Sequence, residues 1–163
     1  MTRTIRIGET LPERRVNISA LHIVLGAIAS RDWQPQHHDH EQATAARLPG
    51  IILNAPSQIG WFIGYVTAWT GPHARIARWR LSMLKPICPG TRLVMTGTVR
   101  SVKDDPAGLR WIELDLAMSR EDANAAQERL SATRMLVAMP GTVEPWAVTA
   151  EAWRPPPFTD YES

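Results

Sequence analysis

At 163 residues the chain is long enough for one domain with a single substantial core. Its 44% apolar and 21% charged content excludes wholesale disorder, and a net charge of only +2, with arginines spread among acids, gives nucleic-acid binding little electrostatic support. The one cysteine, Cys88, has no internal disulfide partner, no N-terminal stretch joins a basic head to a long apolar run, and no apolar run is long enough to span a bilayer. Together these features predict a cytoplasmic protein that engages neither membrane nor nucleic acid.

In chain order, Thr4 to Ile7 alternates weakly and reads as a short edge strand, followed by a polar loop through Arg15. Ser19 is placed to cap a helix over Ala20 to Ala29, in which Leu21, Val24, Leu25 and Ile28 recur at helical spacing. That helix runs directly into Arg31-Asp32-Trp33-Gln34-Pro35-Gln36-His37-His38-Asp39-His40, where three of the five histidines fall within four positions beside two aspartates. Pro35 fixes its own φ and pushes Gln34 towards extended backbone, so Asp32 and His37 flank a rigid bend instead of stacking on one helix.

Carboxylate and imidazole are the usual side chains for moving protons near neutral pH, so one reading of this bend is an acid/base pair. A solvated loop with Asp39 capping the next helix fits the same residues. Zinc does not fit the spacing, and no companion His/Cys cluster exists elsewhere, so no metal is expected.

A short helix over Glu41 to Arg47 ends at Pro49-Gly50. Asn54 then reads as the N-cap of a long helix reaching Thr70, with Pro56 in its first turn and Gly71-Pro72 as the stop. Ile59, Phe62, Ile63, Val66 and Trp69 make its apolar face, with Trp61 and Tyr65 on the flank. Gly60 and Gly64, one turn apart, point to close approach of a neighbouring strand or a ligand.

From Ile76 the period changes to that of strands: Ile76 to Leu84, then Leu93 to Val102 with Gly97 as a possible curvature point. A hairpin at Asp104 to Gly108 leads into Leu109 to Met118. A polar loop from Ser119 to Gln127 precedes a last strand at Leu130 to Met139. Residues 1–140 are expected to form one domain, and residues 141–163, with Pro155-Pro156-Pro157, a Pro-rich surface arm.

Helices first and antiparallel strands afterwards predict an α+β domain in which a curved sheet wraps around the long helix. One-sided cover leaves the other flank of that helix seeking a partner, so dimerisation is expected. Of the seven tryptophans, Trp33, Trp61, Trp69, Trp79 and Trp111 sit inside predicted elements, where core packing competes with lining a large apolar cavity or a subunit interface.

Asp32-Trp33-Gln34-Pro35-Gln36-His37 resembles the Asp-x-Asn-Pro-x-His signature of the MaoC-like, (R)-specific enoyl-CoA hydratases and dehydratases of the hot-dog fold. The helix running into Ala29-Ser30-Arg31-Asp32, the long helix from Asn54 to Trp69, and Lys85-Pro86 with Pro89-Gly90-Thr91-Arg92-Leu93 before a strand are similar to that family as well. Ser30-Arg31-Asp32-Trp33-Gln34 and Gly64-Tyr65-Val66-Thr67-Ala68-Trp69-Thr70-Gly71-Pro72 are similar, more narrowly, to small hydratase subunits of bacterial steroid side-chain degradation, which act on a bulky CoA thioester and pair with a larger MaoC-like chain. The likeness covers roughly residues 16 to 140.

The resemblance implies a hot-dog fold and Asp32 and His37 as the pair that holds and deprotonates water and returns a proton to the α carbon. It implies an oxyanion donor at the head of the long helix, where the family has a glycine following a histidine. Here that pair reads Asn54-Ala55, and the candidate donor is the Ala55 N–H. Gln34 stands in place of the family's asparagine. Trp33, Gln34 and Trp61 are candidate pocket residues, His38 and His40 carry no implied role, and Arg75, Arg78 and Arg80 are placed either to meet CoA phosphates or simply to line a strand edge.

The expected substrate is an acyl-CoA thioester, with coenzyme A part of the substrate and no separate cofactor. The expected assembly is a homodimer or a heteromer with a second MaoC-like subunit. Hydration of a 2-enoyl-CoA is the leading function; acyl-CoA thioester hydrolysis on the same fold, and a role completing a partner's pocket, are the alternatives.

Overall fold

The computed structural model describes residues 4–121 and 128–159. In order, the elements are β1 (Arg14–Asn17), α1 (Ala20–Ala29), α2 (His40–Ala45), α3 (Ala55–Thr70), β2 (Arg75–Met83), β3 (Arg92–Asp104), β4 (Leu109–Arg120) and β5 (Glu128–Pro140), with single 3-10 turns at Pro35–His37 and Pro145–Ala147. The five strands make one antiparallel sheet in the order β1-β3-β4-β5-β2.

That sheet folds over α3, which presents Phe62, Tyr65 and Val66 to Met95, Val99, Ile112, Leu114, Leu116, Met135 and Val137 in one continuous core. Burying each such side chain stabilises the fold by about 1.5 to 3 kcal/mol, before conformational entropy is charged against it. Register shifts at Ile76/Arg78, Val99/Ser101 and Met118/Ser119 bend the strands around the helix. Gly97, read as a curvature point, lies outside these bulges. Its function is room: a Cβ there would stand 2.7 Å from Leu116 Cδ2 and 3.0 Å from Leu11 Cδ2.

The first strand differs from expectation. Thr4 to Ile7 is not a strand, whereas the polar segment through Arg15 is drawn onto the free edge of β3. Leu11 N donates to Gly97 O at 2.9 Å, and Arg14–Asn17 pairs with Met95 to Arg92. An edge strand can keep polar side chains in solvent while its backbone satisfies the sheet, so pairing overrode the weak local pattern. The predicted loop at Ser119–Gln127 is also partly strand, because β4 continues through Arg120; residues 122–127 lie outside the described residues.

On α1 three of the four residues of the expected apolar stripe face outwards, and Val24 packs against the core. Leu21, Leu25 and Ile28 are 63%, 52% and 48% exposed, and the buried side is Ile23 and Ala27. Among the described residues nothing lies within 4 Å of where a Cβ at Gly60 or Gly64 would stand, so no described element approaches them closely.

The opposite face of the sheet is covered by the C-terminal arm. Trp153 packs on Trp111 with ring centroids 5.2 Å apart, and Arg75 lies 3.9 Å over the Trp153 ring. The arm is pinned at Glu113, 1% exposed, whose Oε2 accepts from Thr159 N at 2.8 Å and Thr159 Oγ1 at 2.6 Å. Arg134 Nε, 3.3 Å from Glu113 Oε1, balances the buried carboxylate.

Candidate active site

Helix α1 ends in a tight reversal that delivers Asp32. Arg31 N donates to Ile28 O at 3.1 Å and Asp32 N to Ala27 O at 2.9 Å, with Arg31 at φ 54 in the left-handed region that usually takes glycine. The Pro35 turn then carries His37 back beneath the bend. Ile52 N donates to Gln36 O at 3.0 Å, tying the bend to the segment that enters α3.

His37 is 4% exposed, and its Nδ1 lies 2.8 Å from Ile52 O. A carbonyl oxygen can only accept, so Nδ1 carries a hydrogen in every protonation state and Nε2 is the atom free to gain or lose a proton. That Nε2 is 3.3 Å from Asp32 Oδ2. The structure thus brings Asp32 and His37 into contact, with the exchangeable imidazole nitrogen facing the carboxylate.

The head of α3 completes the site. Asn54 caps the helix through Oδ1, which accepts from Ser57 N at 3.1 Å, and its Nδ2 donates to Ser30 Oγ at 2.8 Å and to Asp32 Oδ2 at 3.0 Å. Gln58 N is taken by Asn54 O at 3.1 Å and Pro56 has no N–H. Among the described residues Ala55 N–H is therefore the donor left open at the positive end of the helix, one residue from the atom that touches Asp32. This approach of α1 to α3 depends on Gly26, where a Cβ would overlap Ser57 Oγ.

Other sequence candidates fall elsewhere. Trp33 is 65% exposed, and Gln34 is exposed with its Oε1 accepting from Gln36 Nε2 at 3.2 Å; among the described residues neither side chain hydrogen-bonds to Asp32 or His37. Trp61 is half-buried and meets His22 of α1 edge-on at 5.7 Å. His38 Nε2 lies 3.3 Å from Trp33 O, within the loop. Asp39 caps α2 through Gln42 N at 3.0 Å, so the capping role and the acid/base pair coexist in one loop.

Arg75 and Arg78 are held by the arm through Val148 O at 3.2 Å and Pro155 O at 3.4 Å. Among the described residues no three His, Cys, Asp or Glu side chains converge to hold a metal ion, and no helix is long and apolar enough to cross a membrane. Sequence reasoning missed Gly26, Ser30 and Ile52. A glycine inside a helical pattern is a packing signal by which Gly26 was open to being found, whereas the part of Ile52 is played by its backbone and leaves no trace in residue type.

Comparison with known proteins identifies the family and the fold. Residues 4–108 match the MaoC like domain. The chain is 34% identical over 98 residues, 60% of its length and 76% of the relative, to the 3-oxo-4,17-pregnadiene-20-carboxyl-CoA hydratase beta subunit of Mycobacterium tuberculosis.

Among solved structures it is similar to the ChsH1-ChsH2 complex of Mycobacterium tuberculosis, with a TM-score of 0.75 and 26% identity over 83% of this chain and 99% of that one. An (R)-hydratase from A. caviae involved in PHA biosynthesis shares the hot-dog fold, with a TM-score of 0.73 and 16% identity over 85% of this chain and 100% of the other.

Proposed function

The chain belongs to the MaoC-like family of hydratases and dehydratases, and on that footing we propose that it adds water across the double bond of a 2-enoyl-CoA thioester through Asp32, His37 and the N-terminus of α3. The observation that carries this reading is the 3.3 Å approach of His37 Nε2 to Asp32 Oδ2 beside the Asn54 cap.

Water held between the carboxylate and Nε2 loses a proton to the pair as its oxygen bonds to the β carbon. The electron pair of the double bond moves towards the thioester carbonyl, giving an enolate whose oxygen accepts from Ala55 N–H. The proton then passes to the α carbon, which restores the pair and leaves a 3-hydroxyacyl-CoA. The reverse sequence is dehydration. Removing one oxyanion donor costs about 3 to 4 kcal/mol of barrier in other enzymes, so Ala55 N–H alone supplies a large part of the selectivity for the transition state.

A bulky, steroid-derived acyl group and a second MaoC-like subunit belong to the same reading. The support is the named activity of the mycobacterial relative, itself a beta subunit, and the likeness to a two-component complex. The chain's own surface agrees: β2 ends the sheet with one edge unpaired among the described residues, and Trp79, Met83 and Leu84 are exposed along or just beyond it.

The test follows the conjugated enoyl absorbance of a short and of a steroid-side-chain 2-enoyl-CoA, alone and with a larger MaoC-like chain added. Loss of the band with no free thiol is the expected result. Release of free CoA would favour hydrolysis and overturn the proposal.

A further inference from the structure

We infer that Asn54, seated by Ser30, is a positioning residue that decides which oxygen of Asp32 does the chemistry; this rests on the hydratase reading above. The Asn54 amide has no freedom to turn. Its Oδ1 is committed to Ser57 N at 3.1 Å, so its two N–H groups point to Ser30 Oγ at 2.8 Å and Asp32 Oδ2 at 3.0 Å.

Ser30 Oγ is fixed in turn, since its own hydrogen goes to Gly26 O at 2.8 Å. A directional chain thus runs from the last turn of α1 through Ser30 and Asn54 to one carboxylate oxygen. That oxygen also faces His37 Nε2, whereas Asp32 Oδ1 has no protein partner among the described residues. Oδ1 is then the oxygen left for water.

Gln34 of the loop itself is exposed, its Oε1 accepting from Gln36 Nε2 at 3.2 Å, and no hydrogen bond joins its amide to Asp32 among the described residues. Asn54 supplies that support from the facing helix. A carboxylate without this donor swings about its Cα–Cβ and Cβ–Cγ bonds and loses its alignment with Nε2, and misplacement by about 1 Å costs on the order of 100-fold in rate.

The experiment compares Asn54→Ser, Ser30→Ala and the double variant with Asp32→Asn, on a 2-enoyl-CoA, in the preparation that hydrates. Serine keeps the helix cap but cannot reach Asp32. Asn54→Ser is expected to lower kcat about 10- to 100-fold with KM within roughly 2-fold, and Ser30→Ala to lower it less. The double variant should match Asn54→Ser alone, because Ser30 acts only through Asn54.

Independently of turnover, the two Asn54 side-chain amide protons should give separate NMR resonances, one moved by Asp32→Ala and the other by Ser30→Ala. Full kcat in folded Asn54→Ser beside a dead Asp32→Asn would overturn the positioning role, and so would losses that multiply in the double variant. Undiminished turnover in Asp32→Asn would instead overturn the hydratase reading.

Discussion

His37 presents Nε2 to Asp32 Oδ2 at 3.3 Å because its other nitrogen is held 2.8 Å from the Ile52 carbonyl. Orientation and tautomer are thus set by backbone on the far side of the bend. Asp32→Asn keeps the Asn54 and His37 neighbours but removes the charge, and His37→Asn removes the exchangeable nitrogen. Each is expected to cut turnover by about 100- to 10,000-fold while the far-ultraviolet spectrum stays that of the parent. Steady-state hydration rates on purified variants check this, and near-parental rates in either would refute the assignment.

Gly26 makes the site possible by letting α1 lie against the first turn of α3. A methyl group there forces Ser57 Oγ out of its rotamer and still comes within 3.2 Å of Ser57 Cβ, which the capped helix start holds in place. Gly26→Ala should therefore destabilise by about 1 to 3 kcal/mol despite its better helix propensity. Activity should fall further than stability explains, since Ser30 and Asp32 move with α1. Urea titration beside kcat measures both, and a stabilised, fully active variant would count against the close-packing account.

Much of this was legible in the residues. Ser19, Asn54 and Asp39 announced three helix starts because capping is local chemistry, and each caps as read. The Asp32/His37 contact was legible because Pro35 restricts the few backbone paths between them. What failed was whatever depends on the rest of the fold. Of the stripe Leu21, Val24, Leu25 and Ile28 only Val24 packs on the core while the other three face outwards, since periodicity reports a face and not what covers it. Arg14–Asn17 became a strand only because β3 offered an open edge. Ser30 and Ile52 entered the site through distances that no spacing rule contains.

Arg31 occupies a position where a side chain costs free energy. At φ 54 an L residue carries about 1 kcal/mol of steric strain that glycine does not, partly offset by glycine's greater freedom in the unfolded chain. Arg31→Gly is expected to be neutral to modestly stabilising, by up to about 0.5 to 1 kcal/mol. Thermal unfolding of the pair decides it; a clear loss of stability would mean that the Arg31 side chain contributes more than its backbone costs.

Tyr65 gives the fold an alkaline limit. Burial, reinforced by Glu13, pushes its phenol up to about 12 from 10.0, and its hydroxyl donates to Pro12 O at 2.9 Å. Below pH 10 the phenol is neutral in both folded and unfolded chains, so its contribution is fully present. Between 10 and 12 the unfolded chain releases the proton and the folded one retains it, so stability falls as pH rises. Tyr65→Phe should lose the hydrogen bond at neutral pH yet show a shallower decline above pH 10. Denaturant midpoints at steps across that window test this, and parallel slopes would contradict it.

The arm on the outer face predicts a separation of stability from chemistry. Trp153 covers Trp111 and lies beneath Arg75, whereas α3 and the Asp32/His37 pair stand on the other side of the sheet. Trp153→Ala strips a half-buried ring from an apolar patch that includes Leu109, Leu136 and Ala138. The expected cost is about 1 to 3 kcal/mol, below that of a fully buried tryptophan because part of the ring is already wet. Turnover at a temperature where the variant remains folded should match the parent, because no residue of the arm touches the site among those described. Unchanged stability would show that the arm does not seal this face, and a loss of kcat in the folded variant would show that it reaches the site through the sheet.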